Sequence, residues 1–163
     1  MIAVVAVAVP ALAASHPRKV DVPHKFRKHI PKVKEKSGLP VLLPEKLYTG
    51  LRPSHVFPES TATENSYSLA LSAVRDCHFA NACFIASFDA ERDGKFSFKR
   101  KVKLTHGIHG RWQPIQCGAS CAPAFIQWKE FGVLYTIEDK AVGNHQKRWM
   151  QKIANSAIRN GPR

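Results

Sequence analysis

Four cysteines occur in two short pairs, Cys77 with Cys83 and Cys117 with Cys121. Local pairing would close loops of seven and five residues, and a disulfide across such a loop stabilises a domain by about 2 kcal/mol on the loop-entropy model. Pairing Cys83 with Cys117 would close a loop of 35 residues and contribute about 4 kcal/mol on the same model. We favour the local pairs because the chain between the cysteines of each pair is short and turn-like.

A zinc site formed by all four thiolates is the alternative to disulfides. Structural zinc sites separate paired cysteines by about two to four residues. The second pair, with three residues between its cysteines, fits this spacing, and the first pair, with five, does not. We therefore expect two disulfides, no metal and no cofactor, which indicates an oxidising compartment outside the cytoplasm.

Residues 1–13 resemble a secretory signal peptide. An apolar run at 2–9 is followed by Pro10 and then by Ala-Leu-Ala, the small-x-small pattern that signal peptidase requires. The run is too short to span a bilayer, which takes about 20 residues. Because no Lys or Arg precedes it, either the true start lies upstream or the signal is atypical, and a buried N-terminal strand is the alternative. We expect a secreted or periplasmic protein without a transmembrane segment.

The chain is strongly basic, with 25 Lys and Arg against 12 Asp and Glu and a formal net charge of +13. Residues 17–36 contain eight basic and two acidic residues, three prolines and little regular periodicity. We therefore expect residues 14–37 to form a flexible basic arm and residues 38–163 to form one domain. The arm is either a solvated linker or an electrostatic tether to an anionic polymer or an anionic membrane surface.

Strand patterns dominate the chain after Gly38. Apolar and small polar side chains alternate over residues 66–73, which predicts a half-buried strand. Asp93 and Gly94 lie between two extended segments, which predicts a two-residue hairpin turn. A second hairpin is expected over residues 124–137.

One amphipathic helix is predicted at the C-terminal end. Apolar residues recur at helical spacing over residues 149–158, Asn144 precedes them as a candidate N-cap, and Gly161 follows them as a stop signal. Together with the strands, this predicts an α+β domain: an antiparallel sheet of about five strands with one C-terminal helix packed on a face.

Part of the chain resembles a group of uncharacterised exported bacterial proteins, notably cyanobacterial ones. The resemblance rests on the run 110–137 with its CGASC motif at 117–121, on the ANAC segment at 80–83 and on the ending at 153–163, which contains ANSAI. It covers residues 65–163 and leaves the basic arm outside. The resemblance implies an exported domain and supplies no catalytic residue, because the group has no established activity.

Residues 95–104 alternate between charged and apolar side chains, as a strand with one charged face would. One face of this strand would carry Lys95, Ser97, Lys99, Lys101 and Lys103. Such a row, with about 6.6 Å between neighbouring side chains, suits binding along an anionic polymer, and an aromatic ring close by could add a stacking platform. Arg100 falls on the apolar side, where a bulge or an acidic partner would explain it. The alternative is a solvated face kept charged against edge aggregation. The candidate binding residues are Lys95, Lys99, Lys101, Lys103, Arg111 and Trp112.

His106 and His109 have a spacing that metal sites use, but the glycines beside them predict a loop and no third ligand is identifiable. Acid/base carboxylates are not identifiable either, because Asp89, Glu91 and Asp93 lie beside a predicted turn, where solvated charge is ordinary. We therefore expect a non-enzymatic extracytoplasmic binding or structural domain, with no specific partner identifiable. The alternative is a small secreted histidine-dependent hydrolase acting on RNA or phosphodiesters, with His106 and His109 as acid and base.

Overall fold

The computed structural model describes residues 17–140 and 143–163. The strands are β1 (Arg18–Asp21), β2 (Lys46–Thr49), β3 (Phe57–Ala62), β4 (Ser66–Ser72), β5 (Phe84–Arg92), β6 (Arg100–Lys103), β7 (His109–Gln113), β8 (Gln116–Cys117), β9 (Cys121–Ala122), β10 (Ala124–Glu130) and β11 (Val133–Asp139). The helices are α1 (Val22–Phe26), α2 (Ile30–Ser37) and α3 (Gln146–Asn160), and 3-10 turns occur at Pro53–His55 and Thr105–Gly107.

The main sheet has seven strands in the order β3-β4-β5-β11-β10-β7-β6. Every neighbouring pair in it is antiparallel. Two further sheets have two strands each, β1 with β2 and β8 with β9. The α+β class is confirmed, but the expected count of about five strands was too low, because the proline-containing β3 and the short β7 lack a clean alternating pattern.

Residues 14–37 were expected to be a flexible arm, and this was wrong where the structure describes them, from residue 17 onward. β1 pairs with β2, and the two short helices follow it. Val20, Val22, Phe26 and Val33 are at most 2% exposed and belong to the main core. These four apolar side chains anchor the segment, so the domain does not begin near residue 38. The signal-like residues 1–13 lie outside the described part of the chain.

The prolines of this segment start helices rather than prevent structure. Pro23 and Pro31 each lie in the first turn of a helix, where proline's fixed φ and missing N–H are tolerated. The Asp21 carboxylate accepts a hydrogen bond from the His24 amide at 2.9 Å and so caps α1. Gly38, with φ 63°, ends α2 in the left-handed conformation. The sequence contains these cap signals, but helices of five and eight residues are too short to show a clear helical periodicity.

The two predicted hairpins have opposite outcomes. β10 and β11 form the second one, with Phe131 and Gly132 both at positive φ in the turn. The first was wrong: Asp93 does adopt a positive φ of 55°, but β5 is already paired on both sides, with β4 and β11. The chain after Asp93 therefore leaves β5 and runs to β6 at the far edge of the sheet.

The C-terminal helix is present and packs against β10, β11 and β7. Its N-cap is His145 rather than the expected Asn144, and the helix ends at Asn160 before Gly161. Trp149 Nε1 donates to Asp139 Oδ2 at 2.7 Å, which links the helix to β11. The buried stripe consists of Met150, Ile153, Ala154, Ala157 and Ile158.

Both local disulfides are present, Cys77–Cys83 and Cys117–Cys121. The second lies between β8 and β9, where Cys117 and Cys121 are register partners. The first closes a loop in which His78 and Phe79 have positive φ, as does Asp76 directly before the loop. Within the described residues, no helix has the length and apolar character needed to cross a membrane.

Candidate anion-binding surface

Residues 94–99, here called the strap, connect β5 to β6 by crossing one face of the main sheet. The Ser97 amide donates to Gln127 Oε1 at 2.9 Å, and the Phe98 and Phe125 rings lie 5.0 Å apart between centroids. Gln127 and Phe125 alternate along β10 with Ile126, which belongs to the core. Since neighbouring strand residues point to opposite faces, the strap lies on the face away from the core, here called the open face.

The predicted ten-residue lysine strand is only partly formed. β6 covers Arg100–Lys103, so Lys95 and Lys99 lie on the strap instead of in the sheet. The side chains of Lys95, Lys99, Lys101 and Lys103 are nevertheless all exposed. These four residues are called the lysine ridge below.

The register between β6 and β7 groups cations on the open face. Lys101 is the partner of Arg111, and Lys103 is the partner of His109. Arg111 is in turn the partner of Gln127 on β10, which holds the strap. Since directly paired residues share a face, Lys101, Lys103 and Arg111 lie together on the open face, at the edge of the sheet.

The Phe96 ring of the strap holds two of the cations. The guanidinium carbon of Arg111 is 5.0 Å from the ring centroid, and Lys129 Nζ is 5.7 Å from it. Cation–π attraction of this kind is worth about 0.5–1 kcal/mol at an exposed site. It partly offsets the repulsion between Arg111 and Lys129, which lie over the same ring.

Trp112 lies on the other face, apart from the lysine ridge. Its register partners are Arg100 on β6 and Ile126 on β10. The Arg100 guanidinium carbon is 5.7 Å from the ring centroid of Trp112, and Lys147 Nζ of α3 is 5.9 Å from it. Arg100 is therefore accommodated on its face by an aromatic ring, where we had expected a bulge or an acidic partner.

A cavity of about 490 Å³ opens beside Trp112 at the start of α3. The first turn of α3 carries no acidic residue, although the N-terminal end of a helix is positive and normally favours one. Lys147 and Arg148 add two positive charges there. An anion at this position would relieve the repulsion. The cavity is lined by Trp112, Pro114, Asn144, His145, Gln146, Lys147, Arg148 and Gln151.

The two histidines considered for catalysis or metal binding lie on the surface. His106 lies in the 3-10 turn Thr105–Gly107 with φ 54°, and His109 is the first residue of β7. Both side chains are exposed. In the part of the chain that the structure describes, no three His, Cys, Asp or Glu side chains are close enough to hold a metal ion.

A group of carboxyls on the open face was not predicted from the sequence. Asp89 is not at a turn but within β5, where its register partners are Ser68 on β4 and Thr136 on β11. Ser87 Oγ donates to Asp89 Oδ2 at 2.7 Å. Glu138 is the register partner of Ser87, so it is a diagonal neighbour of Asp89 on the same face.

Burial perturbs both carboxyls. It raises the pKa of Asp89, and hydrogen bonds from Ser68 and Ser87 partly oppose that rise. Burial, assisted by the charge of Asp89, raises the pKa of Glu138 to about 7. The signal that could have located this group was the period-two run of polar residues on β4, β5 and β11. The expected turn at Asp93-Gly94 concealed this pattern, because it placed Asp89 and Glu91 beside a solvated turn instead of within β5.

Comparisons of this chain with models of known protein families, with curated proteins and with solved structures found no match. The resemblance of residues 65–163 to exported bacterial proteins therefore stays a prediction.

Proposed function

We propose that this protein is an extracytoplasmic, non-enzymatic domain that binds an anionic polymer along the β6–β7 edge of its main sheet. The observation that carries this proposal is the β6–β7 register, in which Lys101 and Lys103 lie on the same face as Arg111, at an exposed edge. The two disulfides support the compartment, because disulfides persist in oxidising environments.

The lysine ridge gives the surface the character that a repeating anion requires. Residues two apart on an extended chain are about 6.6 Å apart, so Lys101 and Lys103 present charges at a regular interval. Lys95 and Lys99 add two exposed charges on the strap that leads into β6. A polymer that neutralises these charges releases its own counterions, which drives binding at low salt.

Cations on the opposite face extend the binding surface around the edge. Arg100 and Lys147 lie on the ring of Trp112, next to the cavity at the positive end of α3. A polymer that bends over β6 contacts both faces. Trp112 then contributes by holding Arg100 and Lys147 against its ring. It does not offer the free stacking platform that the sequence suggested.

A charge-reversal variant tests the proposal. Changing Lys99, Lys101 and Lys103 to Glu should weaken binding of inorganic polyphosphate, polyuronate or RNA by more than about tenfold at low salt. The matched control changes Lys32, Lys34 and Lys36 of α2 to Glu. These three lysines are also exposed, and the variant has the same net charge. Equal binding by the two variants would show that the lysine ridge is not the binding surface.

The same experiment tests the hydrolase alternative. RNA recovered after the binding assay is run on a gel beside untreated RNA. The non-enzymatic proposal predicts that the RNA is intact. Cleavage that is lost in the His106→Ala or His109→Ala variant would contradict it.

A further inference from the structure

A polar cavity of about 310 Å³ lies on the open face between the sheet and the strap. Most of its walls are hydroxyl, amide and carboxyl side chains, and none of the described residues that line it is basic. Its polar lining residues are Thr61, Ser66, Ser68, Asp89, Glu91, Ser97, Gln127 and Thr136.

Hydrogen bonds within the lining fix the side chains before any ligand binds. Gln127 Nε2 donates to Thr136 Oγ1 at 3.1 Å, while its Oε1 accepts from the Ser97 amide. Asp89 accepts from Ser87 at 2.7 Å. A site with positioned donors and acceptors discriminates strongly for a ligand that can pair with them.

The chemistry of the lining excludes several ligands. An anionic group would be repelled by Asp89 and Glu91, and an apolar group would leave the hydroxyls without partners. A polyamine would be attracted by the two carboxyls but repelled by the net charge of +13. A sugar ring can donate from its hydroxyls to the carboxyls and also exchange hydrogen bonds with the Ser and Thr side chains, provided that any carboxylate on the ring stays outside the cavity.

We propose that this cavity binds one sugar ring of an acidic polysaccharide, through vicinal hydroxyls that donate to Asp89, while the lysine ridge binds the charged groups of the same chain. The proposal rests on the function proposed above and narrows it to one class of polymer. The strap connects the two parts, because Ser97 lines the cavity and Lys95 and Lys99 lie two residues away on either side.

Three polymers of matched length separate charge from hydroxyl recognition: alginate, alginate treated with periodate, and inorganic polyphosphate. Periodate cleaves the bond between the two hydroxyl-bearing carbons of a ring and keeps the carboxylates. We expect the protein to bind intact alginate about tenfold more tightly than the treated polymer. Polyphosphate should also bind, through charge alone.

Asp89→Asn should abolish the preference for intact alginate and leave polyphosphate binding unchanged. Asp93→Asn is the matched control, since it makes the same charge change at an exposed residue outside the cavity. Ser68→Val provides a second test, because it removes a lining hydroxyl while keeping a residue that suits a strand. Both cavity variants should retain the circular dichroism spectrum of the wild type.

Each outcome has a distinct meaning. Equal affinity for intact and treated alginate would overturn the sugar site and leave the polyanion proposal standing. Failure of all three polymers to bind would overturn both. Binding of spermine that Asp89→Asn abolishes, without any alginate preference, would also overturn the sugar site and assign the cavity to a cation.

Discussion

The backbone amide of Ser97 donates to Oε1 of Gln127 over 2.9 Å, and this bond attaches the strap to the middle of the open face. Gln127 is only 4% exposed and also donates to Thr136. One glutamine therefore sets the position of the strap relative to the polar cavity and of Lys95 and Lys99 relative to the sheet edge.

Gln127→Met should loosen the strap, because methionine cannot replace Gln127 Oε1 as the acceptor for the Ser97 amide. Methionine is similar in size to glutamine, so the variant should leave no void at this position. The Ser97 amide, which belongs to an exposed residue, would then be open to water. We expect faster hydrogen exchange at Ser97, measured by NMR, with unchanged exchange in β11. Gln116→Met, at an exposed position, is the control, and equal exchange at Ser97 in both variants would contradict the role of Gln127.

Phe26→Ala tests whether the basic N-terminal segment belongs to the core. The Phe26 side chain is fully buried and packs edge-on against Phe88 of β5, with 6.0 Å between ring centroids. Removing a buried phenylalanine costs about 3–5 kcal/mol of the free energy of unfolding. Lys28→Ala, at an exposed position in the same segment, should cost less than about 0.5 kcal/mol. Similar urea midpoints for the two variants would mean that the segment is an arm after all.

Gly110→Ala should destabilise the β7–β10 pairing. A Cβ at this position would clash with the carbonyl oxygen of Gln127, a backbone atom that cannot move aside easily. We expect a loss of about 1–3 kcal/mol in the free energy of unfolding. Gly118→Ala is the control, because its added Cβ meets nothing within 4 Å. A Gly110→Ala variant as stable as this control would show that the two strands are farther apart.

Glu138 makes the stability depend on pH. Its pKa is about 7 in the folded protein and about 4.5 when unperturbed, so the folded state holds the proton more tightly than the unfolded state. This contribution to stability is fully present below about pH 4.5 and is lost as the pH rises to about 7. Asp89, whose pKa burial also raises, acts in the same direction.

Glu138→Gln should therefore raise the melting temperature at about pH 8 and leave it nearly unchanged at about pH 4. Glu64→Gln, at an exposed position, should change neither value. A Glu138→Gln protein that melts at the wild-type temperature at both pH values would contradict the burial of this carboxyl. Scanning calorimetry over this pH range provides the measurement.

The local features of the fold could be predicted because neighbouring residues determine them. The β10–β11 turn needed only the positive φ of Phe131 and Gly132, and the stripe on α3 needed only helical spacing. The disulfides joined cysteines four and six residues apart. In each case the interaction that decides the structure lies within a short stretch of chain.

The features that were predicted wrongly depend on distant parts of the chain. Asp93-Gly94 has the composition of a hairpin turn, but β4 and β11 occupy both edges of β5. These pairings depend on the order of all the strands in the sheet, which a local turn sequence does not determine. The basic segment is ordered because Phe26 packs against Phe88, which lies more than 60 residues later in the sequence. Trp112 and Arg111 are adjacent in sequence but lie on opposite faces, since strand residues alternate.

Binding of inorganic polyphosphate across a salt series tests the central claim, that the β6–β7 edge binds an anionic polymer. For a single-stranded polyanion, the logarithm of the binding constant falls with the logarithm of salt concentration by about 0.7 for each contact. Changing Lys99, Lys101 and Lys103 to Gln should make this slope shallower by about two units. The Gln variant of Lys32, Lys34 and Lys36 should keep the wild-type slope. Equal slopes for all three proteins, or no binding by the wild type at low salt, would contradict the claim.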